Sequence, residues 1–134
     1  FFFFFRSQKQ GTTAQTDVYL GDTMGELLLF YVAGDVAFVG GSFVTVGGHN
    51  LLEPAALGLP VLSGPQLFNF VAISQMLVGA KGATIVNNEA ELITCLAELL
   101  SSIIIIESYH IKKTCLSRNN RDSIFRLNTQ IIVI

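Results

Sequence analysis

The sequence predicts an α/β fold in which a Rossmann-like parallel sheet is flanked by helices. Short apolar segments alternate with longer segments of helix-forming residues, which is the arrangement of parallel βαβ units. The short segments show no polar alternation, so helices are expected on both faces of the sheet. Glycines follow several of the segments, as they do at strand and helix ends.

Each element is predicted from its composition and its flanking residues. Strands are expected at four segments rich in β-branched, aromatic and aliphatic residues: 17–20, 35–39, 61–63 and 83–86. Helices are expected at four segments between or after them: 24–33, 51–57, 69–78 and 89–101. Asn69 and Asn88 are the predicted N-caps of the last two helices.

The two ends of the chain are predicted separately. The phenylalanine run 1–5 resembles a buried strand that has lost its natural beginning. Residues 103–134 are predicted to form two C-terminal helices, separated at Asn119 and Asn120. The four isoleucines at 103–106 taken alone favour a strand instead.

Composition excludes several classes of function. The net charge is −2 and no basic cluster is present, which argues against nucleic-acid binding. No apolar run reaches the roughly 20 residues of a membrane-spanning helix. Cys95 and Cys115 lack the paired spacing of metal or redox sites, so we expect them to be reduced in a cytoplasmic protein. With 51% hydrophobic and 13% charged residues, the chain should be largely buried or should have lost a partner surface.

Three glycine-containing loops follow predicted strands: 21–26, 40–50 and 63–70. In an open parallel sheet, ligands bind beyond the carboxyl ends of the strands. We therefore expect all three loops to open on the same edge of the sheet.

The second loop carries the most informative chemistry. Gly47 and Gly48 would leave backbone amides unshielded just before a helix, a combination that binds phosphate or carboxylate without a lysine. His49 and Asn50 add side-chain donors, and Glu53 can accept two hydrogen bonds from a vicinal diol. The loop suits a sugar-nucleotide phosphate together with a ribose.

The same residues also have purely structural interpretations. Asn50 is equally typical of a helix N-cap, Glu53 of a first-turn carboxylate favoured by the helix dipole, and Asp22 of a turn. His49 is not expected to bind a metal, because no second His or Cys lies nearby. The chain has neither a Walker lysine nor a GxGxxG fingerprint, which disfavours kinase, GTPase and standard NAD functions.

Four motifs in fixed order give the sequence a family resemblance: GDTMGEL at 21–27, DVAFVGGS at 35–42, GGHNLLEP at 47–54 and GPxxxNF at 64–70. Together they resemble the C-terminal domain of 3-deoxy-D-manno-octulosonic acid (Kdo) transferases, which are two-domain GT-B glycosyltransferases. The resemblance is dense from residue 6 to residue 100, weakens through 103–116 and partly returns at 120–127. It implies that 1–134 is a partial nucleotide-sugar-binding domain, with a truncated start at 1–16, a βα core at 17–102 and C-terminal helices at 103–134.

The resemblance implies transfer of Kdo from CMP-Kdo to a lipid A precursor, on the cytoplasmic face of the inner membrane and without a cofactor or bound metal. The segment from Gly47 to Asn50 would hold the donor phosphate, Glu53 would take the ribose hydroxyls, and the loop from Asp22 to Glu26 would line the donor cleft. The candidate binding residues are Asp22, Met24, Gly25, Glu26, Gly41, Ser42, Gly47, Gly48, His49, Asn50, Glu53 and Asn69.

The N-terminal domain of the family is absent from this sequence. By the resemblance, that domain would supply the acceptor site, the membrane-facing surface and the general base, so no catalytic residue is assigned here and the chain alone is expected to be inactive. Membrane association is expected of the full-length enzyme only. Two alternatives remain: a non-catalytic remnant of the fold, and the donor domain of another GT-B enzyme that uses a UDP- or GDP-sugar.

Overall fold

The computed structural model describes residues 2–9, 11, 13, 15–117 and 131–133. These residues form six strands: β1 (Phe3–Phe5), β2 (Val18–Leu20), β3 (Val36–Val39), β4 (Val61–Ser63), β5 (Ala83–Ile85) and β6 (Ile131–Val133). The helices are α1 (Leu27–Ala33), α2 (Leu52–Ala56), α3 (Val71–Gly79) and α4 (Glu89–Ser117), with a 3-10 turn at Arg6–Gln8.

The strands form two parallel sheets. β1 pairs with β2 in a two-stranded sheet, and the larger sheet has the order β5-β4-β3-β6. Every strand pair in the described residues is parallel. The predicted α/β class with a parallel sheet and flanking helices is confirmed.

The core lies on both faces of β3 and β4, whose residues are all buried. Val39 and Val61 pack with Leu51, Leu67 and Leu77 on the face covered by α2 and α3. On the opposite face, α4 covers a second group of side chains: Val36, Phe38, Leu62 and Val86. Burial on both faces explains why these strands show no polar alternation.

Two helices begin two or more residues later than predicted. α1 begins at Leu27 rather than at residue 24, because the preceding loop turns at Gly25 with a φ of +80°. α3 begins at Val71, and its N-cap is Phe70, without a side-chain cap. The prediction that Asn69 caps this helix is therefore wrong, and its amide group instead donates to the Val46 carbonyl at 3.4 Å.

The beginning of α4 follows the prediction, whereas its end does not. The Asn88 side chain accepts a hydrogen bond from the Glu91 amide at 2.9 Å, the contact expected of an N-cap. The helix then continues without a break through the isoleucines at 103–106 to Ser117. These isoleucines are thus helical, as predicted, despite their preference for strands.

Both ends of the chain differ from prediction. β1 is not a buried strand, because Phe3 is 54% exposed and Phe4 and Phe5 are only partly buried. At the other end, Ile131–Val133 is not helical but pairs with β3 as an added parallel strand. β-branched residues suit a strand, and this pairing occupies the hydrogen-bonding edge of β3. The predicted break at 119–120 and most of the last predicted helix lie outside the described residues.

Candidate functional site

The loops after β3 and β4 meet at the carboxyl end of the larger sheet. The Gly48 amide donates to the Gly41 carbonyl at 3.2 Å, and the Gln66 amide donates to the Ser42 carbonyl at 2.9 Å. Two of the three loops that were expected to converge therefore do so. We call them the β3–β4 loop cluster, which comprises residues 40–50 and 64–70.

Ser42 lies at the centre of this cluster and is fully buried. Its hydroxyl donates to the Val39 carbonyl at 2.7 Å and accepts from the Gly64 amide at 2.8 Å. A Cβ atom at Gly64 would lie 2.5 Å from the Ser42 carbonyl oxygen, so only glycine permits this approach. The hydroxyl predicted to bind ligand is thus engaged within the chain.

Gly47 and Gly48 form a tight turn with φ angles of +99° and +66°, a region that favours glycine. A Cβ atom at Gly48 would lie 2.7 Å from the Leu67 side chain, and one at Gly47 would collide with Asn69 and Phe68. Both glycines are buried. The prediction that their amides lie open is wrong for Gly48, because its amide is bonded within the cluster.

The polar side chains after this turn lie nearer the surface. His49 is exposed, with its imidazole beside Gly41. Asn50 accepts from the Leu52 amide at 3.0 Å and donates to Glu53 Oε1 at 3.3 Å. Asn50 therefore makes the local capping contact that was its structural alternative, and it also orients the carboxylate of Glu53.

Tyr31 of α1 lies close to Glu53 and was not predicted as a site residue. It is 1% exposed. Burial, and secondarily the charge of Glu53, raises the pKa of Tyr31 to about 12, so the phenol stays protonated beside the carboxylate. No sequence pattern indicated this role, because Tyr31 occupies one position in an otherwise apolar helix.

In the first loop, both carboxylates are bound by the 3-10 turn. Arg6 donates to Glu26 through Nε at 2.9 Å and Nη2 at 2.8 Å, and Ser7 donates to Asp22 through its amide at 2.8 Å and its hydroxyl at 2.5 Å. Hydrogen bonds from Arg6 and then Thr23 lower the pKa of Glu26 to about 2. Those from Ser7 lower the pKa of Asp22.

The first loop follows β2, which belongs to the smaller sheet. The prediction that all three loops share an edge of one sheet is therefore wrong for this loop. Met24, at its tip, is 98% exposed and is followed by Gly25. Arg6 and Ser7 escaped prediction because 20 and 15 residues separate them from their partners.

Two further properties concern the described part of the chain as a whole. It contains no group of three or more His, Cys, Asp or Glu residues arranged to hold a metal ion. None of its helices combines the length and hydropathy that crossing a bilayer requires.

Sequence comparison identifies relatives with one shared description. The chain is 47% identical over 100 residues to the 3-deoxy-D-manno-octulosonic acid transferase of Haemophilus influenzae, an alignment that covers 75% of this chain and 23% of that protein. It is 46% identical over 85 residues to the Aquifex aeolicus transferase of the same description, covering 63% and 24%. The chain thus spans less than a quarter of the length of these curated relatives. No family model matches it.

Structure comparison points in the same direction. The chain is similar to the crystal structure of the C-terminal CMP-Kdo binding domain of WaaA from Acinetobacter baumannii, with a TM-score of 0.73 and 36% sequence identity. The similarity covers 80% of this chain and 56% of that domain. By sequence and by fold, the chain belongs to the 3-deoxy-D-manno-octulosonic acid transferase family and corresponds to part of the C-terminal domain.

Proposed function

We propose that this chain is the donor-binding part of a glycosyltransferase and that its ligand is CMP-Kdo. The observation that carries the proposal is the similarity in fold and sequence to a CMP-Kdo binding domain, together with the β3–β4 loop cluster at the carboxyl end of the sheet. Parallel α/β sheets bind ligands at this end.

The donor phosphate would lie over the backbone from Gly47 to Asn50. The positive φ angles of Gly47 and Gly48 turn the chain sharply before α2, and peptide N–H groups near a helix start favour an anion. The Gly48 amide would not be among the donors, because it donates to the Gly41 carbonyl. The exposed imidazole of His49 adds a donor that a phosphate oxygen can reach. Gly41 and Asn69 flank the turn, and Ser42 lies beneath it.

Glu53 would bind the ribose. Its carboxylate already accepts one hydrogen bond, from Asn50, which fixes the group at the surface of the cluster. A carboxylate has about four lone-pair directions, so Glu53 can also accept from both hydroxyls of a vicinal diol. Asn50 would then act by orienting Glu53.

The first loop would contribute through Met24 and the backbone at Gly25. The carboxylates of Asp22 and Glu26 accept hydrogen bonds from Ser7 and Arg6. We therefore propose that these two carboxylates stabilise the conformation of the loop. Met24 is almost completely exposed and offers an apolar surface to a base or sugar ring.

For the whole protein, we propose transfer of Kdo from CMP-Kdo to a lipid A precursor at the cytoplasmic face of the inner membrane. The shared description of the relatives supports Kdo transfer. The acceptor site, the membrane-facing surface and the general base would lie in a domain outside these 134 residues.

Calorimetric titration with CMP, UMP and GMP tests the donor proposal. We expect saturable binding of CMP and weaker binding of UMP and GMP. Tighter binding of UMP or GMP would assign the domain to another class of sugar nucleotide. No binding of any of the three nucleotides by the folded chain would contradict the proposal and favour a non-catalytic remnant.

A further inference from the structure

Among the candidate binding residues in the described part of the chain, only Ser42 has a fully buried side chain that is bonded both to the end of β3 and to the loop after β4. The geometry points to Ser42 as a positioning residue: its hydroxyl holds the two loops of the β3–β4 loop cluster at the separation that the donor requires. This inference rests on the proposed function, since it concerns how the same donor site is kept in shape.

A hydroxyl is needed because Ser42 donates and accepts at the same time. It donates to the Val39 carbonyl at the end of β3 and accepts from the Gly64 amide at the end of β4. Alanine would leave both backbone groups without this partner in a buried place, which is costly. The contact thus joins the ends of two neighbouring strands at the point where the loops begin.

The main chain at Ser42 reinforces the same junction. Its carbonyl accepts from the Gln66 amide at 2.9 Å, and Gly64 approaches so closely that a Cβ atom there would lie 2.6 Å from the Ser42 carbonyl carbon. The loop after β4 is therefore docked on Ser42 by two hydrogen bonds and by direct packing.

Ser42 also contacts the turn that would face the donor phosphate. A Cβ atom added at Gly48 would lie 3.5 Å from the Ser42 Cβ atom, and the Gly48 amide is bonded to the carbonyl of the preceding residue, Gly41. A shift of Ser42 would consequently move the Gly47–Gly48 turn and the loop after β4 together. Small displacements of this kind weaken the function of a site that depends on close positioning of its groups.

The chain offers two matched controls. Ser63 is also fully buried, and its hydroxyl donates to the same Val39 carbonyl, but at 3.4 Å and without bridging the loops. Ser74 is 8% exposed and donates to the Val71 carbonyl inside α3. Ser63→Ala and Ser74→Ala remove a hydroxyl of similar burial without removing the bridge.

The test combines CMP affinity with amide hydrogen exchange on the full 134-residue chain. We expect Ser42→Ala to raise the Kd for CMP about tenfold or more, the equivalent of about one hydrogen bond. The amides of Gly48, Gly64 and Gln66 should exchange faster in this variant. Ser42→Cys replaces the hydroxyl with a somewhat larger thiol that is a weak donor and acceptor, so it should change both readouts in the same direction. It carries the test if Ser42→Ala does not fold.

The controls and the two readouts separate this inference from the donor proposal. Unchanged CMP affinity in folded Ser42→Ala or Ser42→Cys would overturn the positioning role, as would equal losses in Ser63→Ala and Ser74→Ala. If the unsubstituted chain binds no CMP, the donor proposal fails, and hydrogen exchange still decides the inference. In that case, unchanged exchange at Gly48 and Gln66 would overturn the bridge, and faster exchange would support it.

Discussion

Glu53 is the residue at which ligand binding and local structure are most directly combined. Its carboxylate is 3.3 Å from the Asn50 amide group, near the start of α2. If Glu53 only caps the helix, removing its charge should change nucleotide affinity little. If Glu53 accepts hydrogen bonds from both ribose hydroxyls, removing its charge should weaken nucleotide binding, because a charged hydrogen bond is lost. The two roles therefore respond differently to the sugar of the ligand.

We expect Glu53→Gln to weaken CMP binding by about 1–3 kcal/mol, the range for a hydrogen bond to a charged group. The loss should be small for 2′-deoxy-CMP, which lacks one hydroxyl. Calorimetry with both nucleotides measures the difference, and Glu98→Gln, an exposed substitution in α4, is the control. Equal losses with the two nucleotides would indicate a structural role.

Glu26 makes an acid-sensitive contact in the first loop, with Arg6. Its pKa is lowered from 4.5 to about 2, mainly by the hydrogen bonds from Arg6. A carboxyl group with a lowered pKa stabilises the fold when ionised, and that contribution is lost as the group becomes protonated. The contribution is therefore fully present above about pH 4.5 and disappears as the pH falls towards 2.

We expect the urea midpoint of unfolding to fall between pH 4.5 and 2, and to fall less steeply in Glu26→Gln. Asp22, whose pKa is also lowered, contributes in the same direction, so Glu26→Gln should flatten the profile without making it level. Identical pH profiles for the two proteins would show that the ion pair with Arg6 does not form in solution.

At the scale of elements, the positions of most strands could be predicted from the sequence, whereas the pairing of strands could be predicted only in part. β3 and β4 were recognisable because burial on both faces requires unbroken apolar residues, and β4 has the predicted bounds. The strand at Ile131–Val133 was missed because its partner, β3, lies more than ninety residues earlier. Pairing with that edge is a tertiary effect that local propensity does not report.

The loops show the same division between local and distant causes. Gly47 and Gly48 were predicted to lie in a loop just before a helix, and they form a sharp turn there. The residue pattern did not show that the third loop covers this turn. Phe68 and Leu67 pack against Gly47 and Gly48, at the places that Cβ atoms of these two residues would occupy. Long-range packing, which the residue pattern does not contain, decides which amides remain open.

This packing gives a prediction for the turn. We expect Gly48→Ala to be more destabilising than Gly58→Ala by about 1–3 kcal/mol, the usual cost of overpacking. Gly58 is the matched control because its φ is also positive, at +81°, yet an added Cβ would meet nothing within 4 Å. Both variants pay for the left-handed backbone, and only Gly48 also meets Leu67.

Urea denaturation gives the two free energies of unfolding. Equal free energies of unfolding for Gly48→Ala and Gly58→Ala would show that Leu67 moves aside without destabilising the fold. Gly48→Val, a substitution suited to blocking close approach of a phosphate, should then be used only after its folding has been checked, since we expect it to disturb the turn itself.

At the scale of the whole molecule, the chain exposes large apolar side chains, several of them on one helix. On α1, Leu28, Leu29 and Val32 are each more than half exposed. Among the described residues, β5 lies at an edge of the larger sheet, and each strand of the smaller sheet has one partner. Exposed apolar patches and unpaired strand edges both promote association.

We expect the isolated chain to self-associate as its concentration rises. Sedimentation velocity over a concentration series measures this, and Leu29→Lys, which places a charge on the exposed face of α1, should reduce it. A single monomeric species at all concentrations would contradict the expectation. Activity assays on the chain should accordingly be run at the lowest practical concentration.

The last prediction is that the 134-residue chain alone transfers no Kdo. Glycosyl transfer requires donor and acceptor to be held in one closed site, and such positioning can supply several kcal/mol of the barrier. The chain aligns with less than a quarter of the Haemophilus influenzae transferase, and no residue of the loop cluster is assigned as a general base. Absence of a general base by itself typically costs about 10²–10⁴-fold in rate.

The purified chain should be assayed with CMP-Kdo and a lipid A precursor, alone and with a separately expressed N-terminal half of a relative. Turnover by the chain alone would refute the prediction. Turnover that appears only when the other half is added would support its role as the donor part of the enzyme.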